Sequence, residues 1–278
     1  MSMHPDNGAV QQRPLASTTF VQGDIEFDVQ GFEGDHILGT IAASGDFYER
    51  MFLDALAKFV APGDVVVDAG ANIGNHTLYF ARMCEAKVVA YEAFAPTVEV
   101  LERNVTVNLA KDSVTIRPVA LGAAAGFAEV VDLDWTNVGS TTFRAAESGV
   151  EVVRLDDADL PGRVVLLKVD VEGMDADVLR GATELIDRDR PVITCEAGTV
   201  EHERLLDSVA ADLGYTYLAR YNATSTFILL PARSDLERVV VQRHLATMTS
   251  SAHLGVRDLY YRVRLLREAA EADKDSRA

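Results

Sequence analysis

Residues 65–77 read VVVDAGANIGNHT, and that order of residue types leaves few folds open. Val65, Val66 and Val67 are β-branched and lie between Pro62-Gly63 and Gly70, which suits a short strand buried on both faces. Gly70 and Gly74 permit positive φ and a close approach of backbone to a ligand. Asn75 and Thr77 suit a helix start, and Leu78, Phe80, Ala81 and Met83 make the helix behind them apolar enough to pack on a sheet. Free N–H groups at such a helix start favour an anionic group. The spacing departs from the dinucleotide pattern G-x-G-x-x-G. Here it is D-x-G-x-N-x-G, through Asp68, Gly70, Asn72 and Gly74, with the acid at the strand end.

The rest of the chain repeats the alternation. A strand at 87–92 ends in Glu92, and Pro96 opens a helix with Val98, Leu101, Val105 and Leu109 on one face. Further strands are predicted at 113–119, 164–170 and 191–195, with helices after the last two. The helix after 170 carries Met174, Val178, Leu179, Leu185 and Ile186, and the one around 200–213 ends at Gly214. Residues 120–153 are glycine-rich and β-like, clearest at 128–133. Runs at 215–219 and 225–230 suggest a closing hairpin. Alternating strands and helices imply an α/β fold with a doubly wound, mainly parallel sheet. Ahead of it, two β-like runs at 25–29 and 36–41 suggest a small N-terminal β-element. Residues 46–49 (DFYE) have capping-box spacing before a helix with Phe52, Leu56, Phe59 and Val60. The expected division is a disordered arm at 1–16, the β-element at 17–46, the main domain at 47–232 and a helical extension at 233–278. An apolar face on that extension (Leu259, Val263, Leu266, Ala270) hints at a homodimer.

Charge narrows the partners. The net charge is −17, and residues 231–278 hold nine of the 26 Lys and Arg but only seven of the 43 Asp and Glu. The acidic body this leaves repels phosphate backbones, so nucleic acid is not an expected partner. No apolar run reaches the ~18 residues of a membrane span, so no membrane partner is expected. Cys84 and Cys195 read as packed free thiols of a reducing compartment, which points to the cytoplasm.

Strand ends carry the chemistry in such a sheet, because ligands bind outside the carboxyl edge. Glu92 stands 24 residues past Asp68, where an acid accepts hydrogen bonds from ribose hydroxyls; the alternative is a solvated carboxylate. Ala120 and Leu121 follow the third strand and could offer backbone groups and an apolar body to a base, or simply end the strand. Lys168, Asp170 and Glu172 alternate and could share one face if all are extended. Three charges ending an apolar strand are costly unless paired or functional. A Lys168–acid salt bridge closing the sheet end is the alternative.

In this order, DAGANIGNHT, YEA, PVALG, LLKVDVEGMDADVLRGA and PVITCEA resemble the FkbM-type family of class I S-adenosylmethionine (SAM) methyltransferases, over roughly residues 47–196. The K-x-D-x-E-G run is the most telling part. The resemblance implies a Rossmann-like seven-stranded sheet whose terminal hairpin adds an antiparallel strand. It implies SAM as cofactor, bound through Asp68, Gly70, Asn72, Gly74, Glu92, Leu121 and Asp170, with Asn75, Thr77 and Ala120 beside them. It also implies O-methylation of a small hydroxylated natural product or sugar. Ala93 stands where many relatives have proline.

Deprotonating an alcohol at neutral pH calls for a general base. Asp170 is the first candidate, Glu196 the second and His76 the third, the histidine being equally readable as a packed or capping group. Lys168 and Glu172 are candidate substrate contacts; Glu172 could orient the hydroxyl or instead pair with Lys168. Asp170, Glu172 and Glu196 could instead hold Mg²⁺, which is possible but not expected. Trp135, Asn137 and Ser140 lie in a loop that could cover the substrate, or could form a hairpin tip with the indole packed inward. Transfer to N or C atoms stays open, since the fold does not fix the acceptor atom. A non-catalytic SAM-binding scaffold is argued against by the three acids. An NAD-dependent oxidoreductase is disfavoured by the glycine spacing and by the lack of a hydride-transfer set.

Overall fold

The computed structural model describes residues 13–222 and 224–232. Residues 1–12 of the expected arm and the expected helical extension, with its homodimer hint, lie outside them. The chain opens with a hairpin of β1 (Leu15–Gln22) and β2 (Ile25–Phe32), then α1 (His36–Ser44) and α2 (Arg50–Leu56). The alternating region follows: β3 (Val65–Ala69), α3 (Asn75–Met83), β4 (Lys87–Tyr91), α4 (Ala95–Asn108) and β5 (Val114–Arg117). A small sheet of β6 (Ala120–Leu121), β7 (Gly126–Asp132), β8 (Thr142–Ala146) and β9 (Val150–Val153) interrupts it. Then come β10 (Val164–Val169), α5 (Asp175–Arg180), α6 (Thr183–Asp189), β11 (Val192–Ala197), α7 (Val200–Asp212), β12 (Tyr215–Tyr221) and β13 (Ser225–Pro231).

Seven strands form the main sheet in the order β12-β13-β11-β10-β3-β4-β5. β13 runs antiparallel to both neighbours, and the pairs from β11 across to β5 are parallel. Every residue of β3 is buried, as its valines require. Strand alternation sends Val66, Val88 and Leu166 into one apolar layer and Val65, Val67, Val89 and Leu167 into the other. The chain leaves β3 towards β4 and returns on its other side at β10. The carboxyl edge at this reversal is where such sheets take ligands.

The N-terminal hairpin is held by amides of α4. Asn104 is fully buried, accepts from Gln30 N and donates to Gln30 O and Ile73 O, each at 2.8 Å. Asn108, one turn on, makes the same two-way contact with Asp28. Two side chains thus satisfy a strand edge where no strand pairs.

Four local expectations are corrected. The expected arm ends early, because β1 begins at Leu15. Residues 36–41 are helix, not strand: Asp35 caps Ile37 N and Leu38 N, Leu38 and Ile41 turn inward at helical spacing, and Gly45 closes the helix at φ 65°. Residues 46–49 do not form a capping box, since α2 starts at Arg50 and Asp46 binds Phe47 N and Arg50 instead. The helix expected after residue 170 is two short helices. Gly181, between them, lies against the Gly122 carbonyl so closely that a Cβ would sit 2.0 Å from that oxygen.

Candidate active site

The turn after β3 is organised by Lys168 from the neighbouring strand. Lys168 is buried, and its Nζ donates to Gly70 O at 2.7 Å and Ala69 O at 3.3 Å. It lies 3.1 Å from Asp68 Oδ1 and 3.5 Å from Asp170 Oδ2. Burial alone would lower its pKa, but Asp68 and Asp170 outweigh burial and raise it, so the ammonium stays charged. The second Asp68 oxygen accepts from Thr77 Oγ1 at 2.6 Å. Asp68, Thr77 and Lys168 are therefore a buried clasp between β3, α3 and β10. Lys168, expected to touch substrate, is turned inward instead.

Outside this clasp lies a cavity of ≈ 310 Å³, within the small-molecule range. Gly70, Asn72, Glu92, Ala120, Leu121, Asp170, Asn137, Glu172 and Glu196 line it; Asp68, Gly74, Asn75, Thr77, His76, Lys168, Trp135 and Ser140 do not. The reasons are local. Asn75 accepts from Tyr48 N and donates to Tyr48 O, both at 3.0 Å. Gly74 answers a packing demand, since a Cβ there would meet Leu101 at 2.7 Å. His76 is buried with Nε2 3.2 Å from Glu49 Oε2. Trp135 packs between Phe32 and Phe94, with ring centroids 5.2 and 5.9 Å away. Ser140 donates to Asn137 O.

At the β4 end, Glu92 accepts from Asn72 N and Phe94 N, both at 2.8 Å. Burial raises its pKa and these bonds pull the other way. The ends of β10 and β11 bring together Asp170, Glu172 and Glu196, whose ligand oxygens lie within 4.8 Å of one another. Glu172 arrives in a left-handed conformation (φ 51°), so the run is not extended to its end as expected. Burial and then Asp170 push Glu196 up to about 9. Burial opposes ionisation of Asp170 too, but Lys168, then Glu196 and His76, hold its pKa below the ordinary value. At neutral pH the coupled pair carries one proton, with Lys168 favouring the charge on Asp170. Burial and Asp170 raise Glu172 to about 7. These oxygens could surround a divalent ion; protonation is the other way to relieve their repulsion.

Sequence reasoning missed several residues. Asp175 caps the Asp170 loop from behind, accepting from Glu196 N at 3.0 Å, and burial raises it to about 7. Tyr48 and Glu49 reach the cavity from the start of α2, and Thr97 from the first turn of α4. The Tyr48 hydroxyl is pushed up to about 12, by burial and then by Glu49, so it stays a neutral donor. No local motif marks these three.

A seven-stranded sheet with one antiparallel strand, and a cavity of strand-end acids at its reversal, is the architecture of a class I methyltransferase. The family model "Methyltransferase FkbM domain" matches residues 68–217, and the chain belongs to the FkbM family of SAM-dependent methyltransferases. It is 30% identical over 199 residues to Methyltransferase 1 of Beauveria bassiana (strain ARSEF 2860), covering 60% of this chain and 72% of that protein. It is 31% identical to Methyltransferase sdnD of Sordaria araneosa, covering 43% of this chain and 60% of that protein, less than two thirds of its length. The structure of methyltransferase FkbM from Methylobacillus flagellatus KT aligns at 18% identity and a TM-score of 0.45, over 61% of this chain and 43% of that one. Among the described residues, no helix is long and apolar enough to cross a membrane.

Proposed function

We propose that this chain transfers the methyl group of SAM to a hydroxyl of a small natural product or sugar. One observation supports the reading above others: neighbouring strands β4, β3, β10 and β11 bring Glu92, the Gly70 turn, Asp170 and Glu196 to one cavity. The residues present fit the donor. Leu121 and Phe143 offer an apolar wall to adenine. Each Glu92 oxygen keeps a lone pair for a ribose hydroxyl after accepting its backbone N–H. Asn72 Oδ1 and Thr97 Oγ1 are buried at the wall with no hydrogen-bond partner.

Bound SAM supplies a methyl already activated by its sulfonium. What remains for the protein is alignment and proton removal. Ionised Asp170, fixed by Lys168, accepts a hydrogen bond from an acceptor hydroxyl and so orients it. The Asp170–Glu196 pair takes the proton, more readily as pH rises towards the Glu196 value of about 9. Glu172 and Tyr48 stand at the same wall to hold the acceptor. No step is assigned to a metal, and Asp170 is the first-choice base.

The test is calorimetric titration with SAM and, separately, NAD, followed by transfer of labelled methyl from SAM to a panel of hydroxylated sugars and macrolactones. SAM binding with label recovered as a methyl ether supports the reading. NAD binding without SAM binding, or label recovered on nitrogen or carbon, overturns it.

A further inference from the structure

The cavity has two unlike ends. Following the carboxyl edge in sheet order, the β5 side presents Val119 and Leu121, β4 presents Glu92, β3 presents Gly70, and β10 and β11 present Asp170 and Glu196. A donor with adenine on the apolar side and ribose at Glu92 must extend its amino-acid end towards the acids. That end of SAM carries an α-ammonium and a sulfonium against a single carboxylate.

Glu49 reaches this acidic end from outside the sheet. It lines the cavity, its side chain is 16% exposed, and its charge adds to those acting on Lys168. It holds a left-handed backbone (φ 58°, ψ 33°), rare for a residue with a side chain. The peptide before it is fixed from both sides, because Asn75 binds Tyr48 N and Tyr48 O. His76 stands behind the carboxylate, buried, with no hydrogen bond at Nε2. Arg50, next in the chain, is turned to Asp46 and Asp54. The carboxylate is thus held at the cavity with the His76 imidazole, 3.2 Å behind it, as its neighbour and no Lys or Arg paired to it, by backbone that is strained to put it there.

We propose that Glu49 binds the α-ammonium of the methyl donor, so that a residue preceding the family-matched stretch completes the donor site. This rests on the SAM reading above. A charge-assisted contact of this kind corresponds to roughly tenfold to a hundredfold in affinity.

The test is calorimetry of wild type and Glu49→Gln with SAM, S-adenosylhomocysteine, and the analogue of the latter that keeps the carboxylate but lacks the amino group. The expected result is a loss of about tenfold or more for the two amino-bearing ligands and no change for the deaminated one. Equal losses for all three, loss for SAM alone, or no loss would each overturn the assignment; loss for SAM alone would place the carboxylate at the sulfonium. Glu49→Gly gives the same test with the left-handed strain removed, and its melting temperature should not fall. Failure of all three ligands to bind wild type would refute the donor reading itself, a result distinct from failure at Glu49.

Discussion

Replacing Lys168 with methionine should destabilise the fold before it affects any chemistry. The substitution keeps an unbranched apolar stem as far as Cε and removes the ammonium. That ammonium lies 3.1 Å from Asp68, which is wholly buried, and 3.5 Å from Asp170, whose side chain is 34% exposed. It also satisfies the carbonyls of Ala69 and Gly70. Asp170 can turn to water for part of its loss, so Asp68 sets the magnitude. Breaking a buried pair by removing one partner costs about 3–5 kcal/mol, because the other charge is left uncompensated. For a domain of this size that is a fall in melting temperature of roughly 6–20 °C. Urea unfolding, followed by circular dichroism, measures it directly. Lys168→Met combined with Asp68→Asn should recover part of the loss, since the stranded charge is gone and Thr77 still reaches residue 68. A single-variant loss under about 1 kcal/mol, or strictly additive losses in the pair, would refute the clasp.

Two further outcomes follow from the same edge of the sheet. Glu196 has a folded pKa raised to about 9, so its contribution to stability is present below the unfolded carboxyl value of ~4.3 and is lost as pH rises through the folded one. The ligand-free protein should therefore melt lower at pH 9 than at pH 5, and Glu196→Gln should flatten that slope above pH 7, where Glu172 and Asp175 have largely titrated; an unchanged slope in scanning fluorimetry would contradict it. Gly70→Ala should cost more than about 2 kcal/mol, because the new methyl would lie 1.9 Å from the Asp170 carbonyl at φ 78°. Gly23→Ala, at φ 60° with nothing within 4 Å, should lose only about 1 kcal/mol in the same urea titration.

Much of the sheet was legible because buried parallel strands are short apolar runs bounded by glycine, proline and strand-end acids. The valines of β3 and the leucines of β10 announce themselves this way. Residues 36–41 were misread because Ile37, Thr40 and Ile41 are β-branched and the run lies between Gly34 and Gly45, while the deciding signal, Asp35 as a cap on two N–H groups, lies one residue earlier. The glycine turn was legible as a turn but not in its reasons. Gly70 is small because of the Asp170 carbonyl and Gly74 because of Leu101, contacts between residues about 100 and 27 positions apart. Lys168 was legible as a costly charge. Which way it faced was not, since that depends on two carbonyls supplied by the strand beside it. Trp135 was legible only as two alternatives, a substrate cover or an indole packed inward. Its ring does the second, completing an aromatic cluster with Phe32 and Phe94, partners that no local pattern around residue 135 names.

The cavity divides along the same line as the chain. Residues 68–217 supply the turn, Glu92 and the three strand-end acids, which with Glu49 from before that stretch make up the part read as facing the methyl donor. His36, Ile37, Tyr48 and Glu49 come from before that stretch, and Thr224 and Thr226 from after it. Those outer residues are placed by contacts that do not depend on the acceptor: Asn104 and Asn108 hold β2 on α4, Asp35 ties the start of α1 to Val138, and Asn75 fixes Tyr48. Because Asn75 belongs to the first turn of α3, the helix that follows the glycine turn, the position of Tyr48 and Glu49 is coupled to the donor side by two hydrogen bonds. Side chains on the outer segments other than Glu49 can therefore change shape and charge while their backbone stays registered to the glycine turn. An acceptor preference encoded there would change without disturbing Asp68, Lys168, Glu92 or Glu49, which makes His36, Ile37 and Tyr48 the first positions to vary in a search for what this chain methylates.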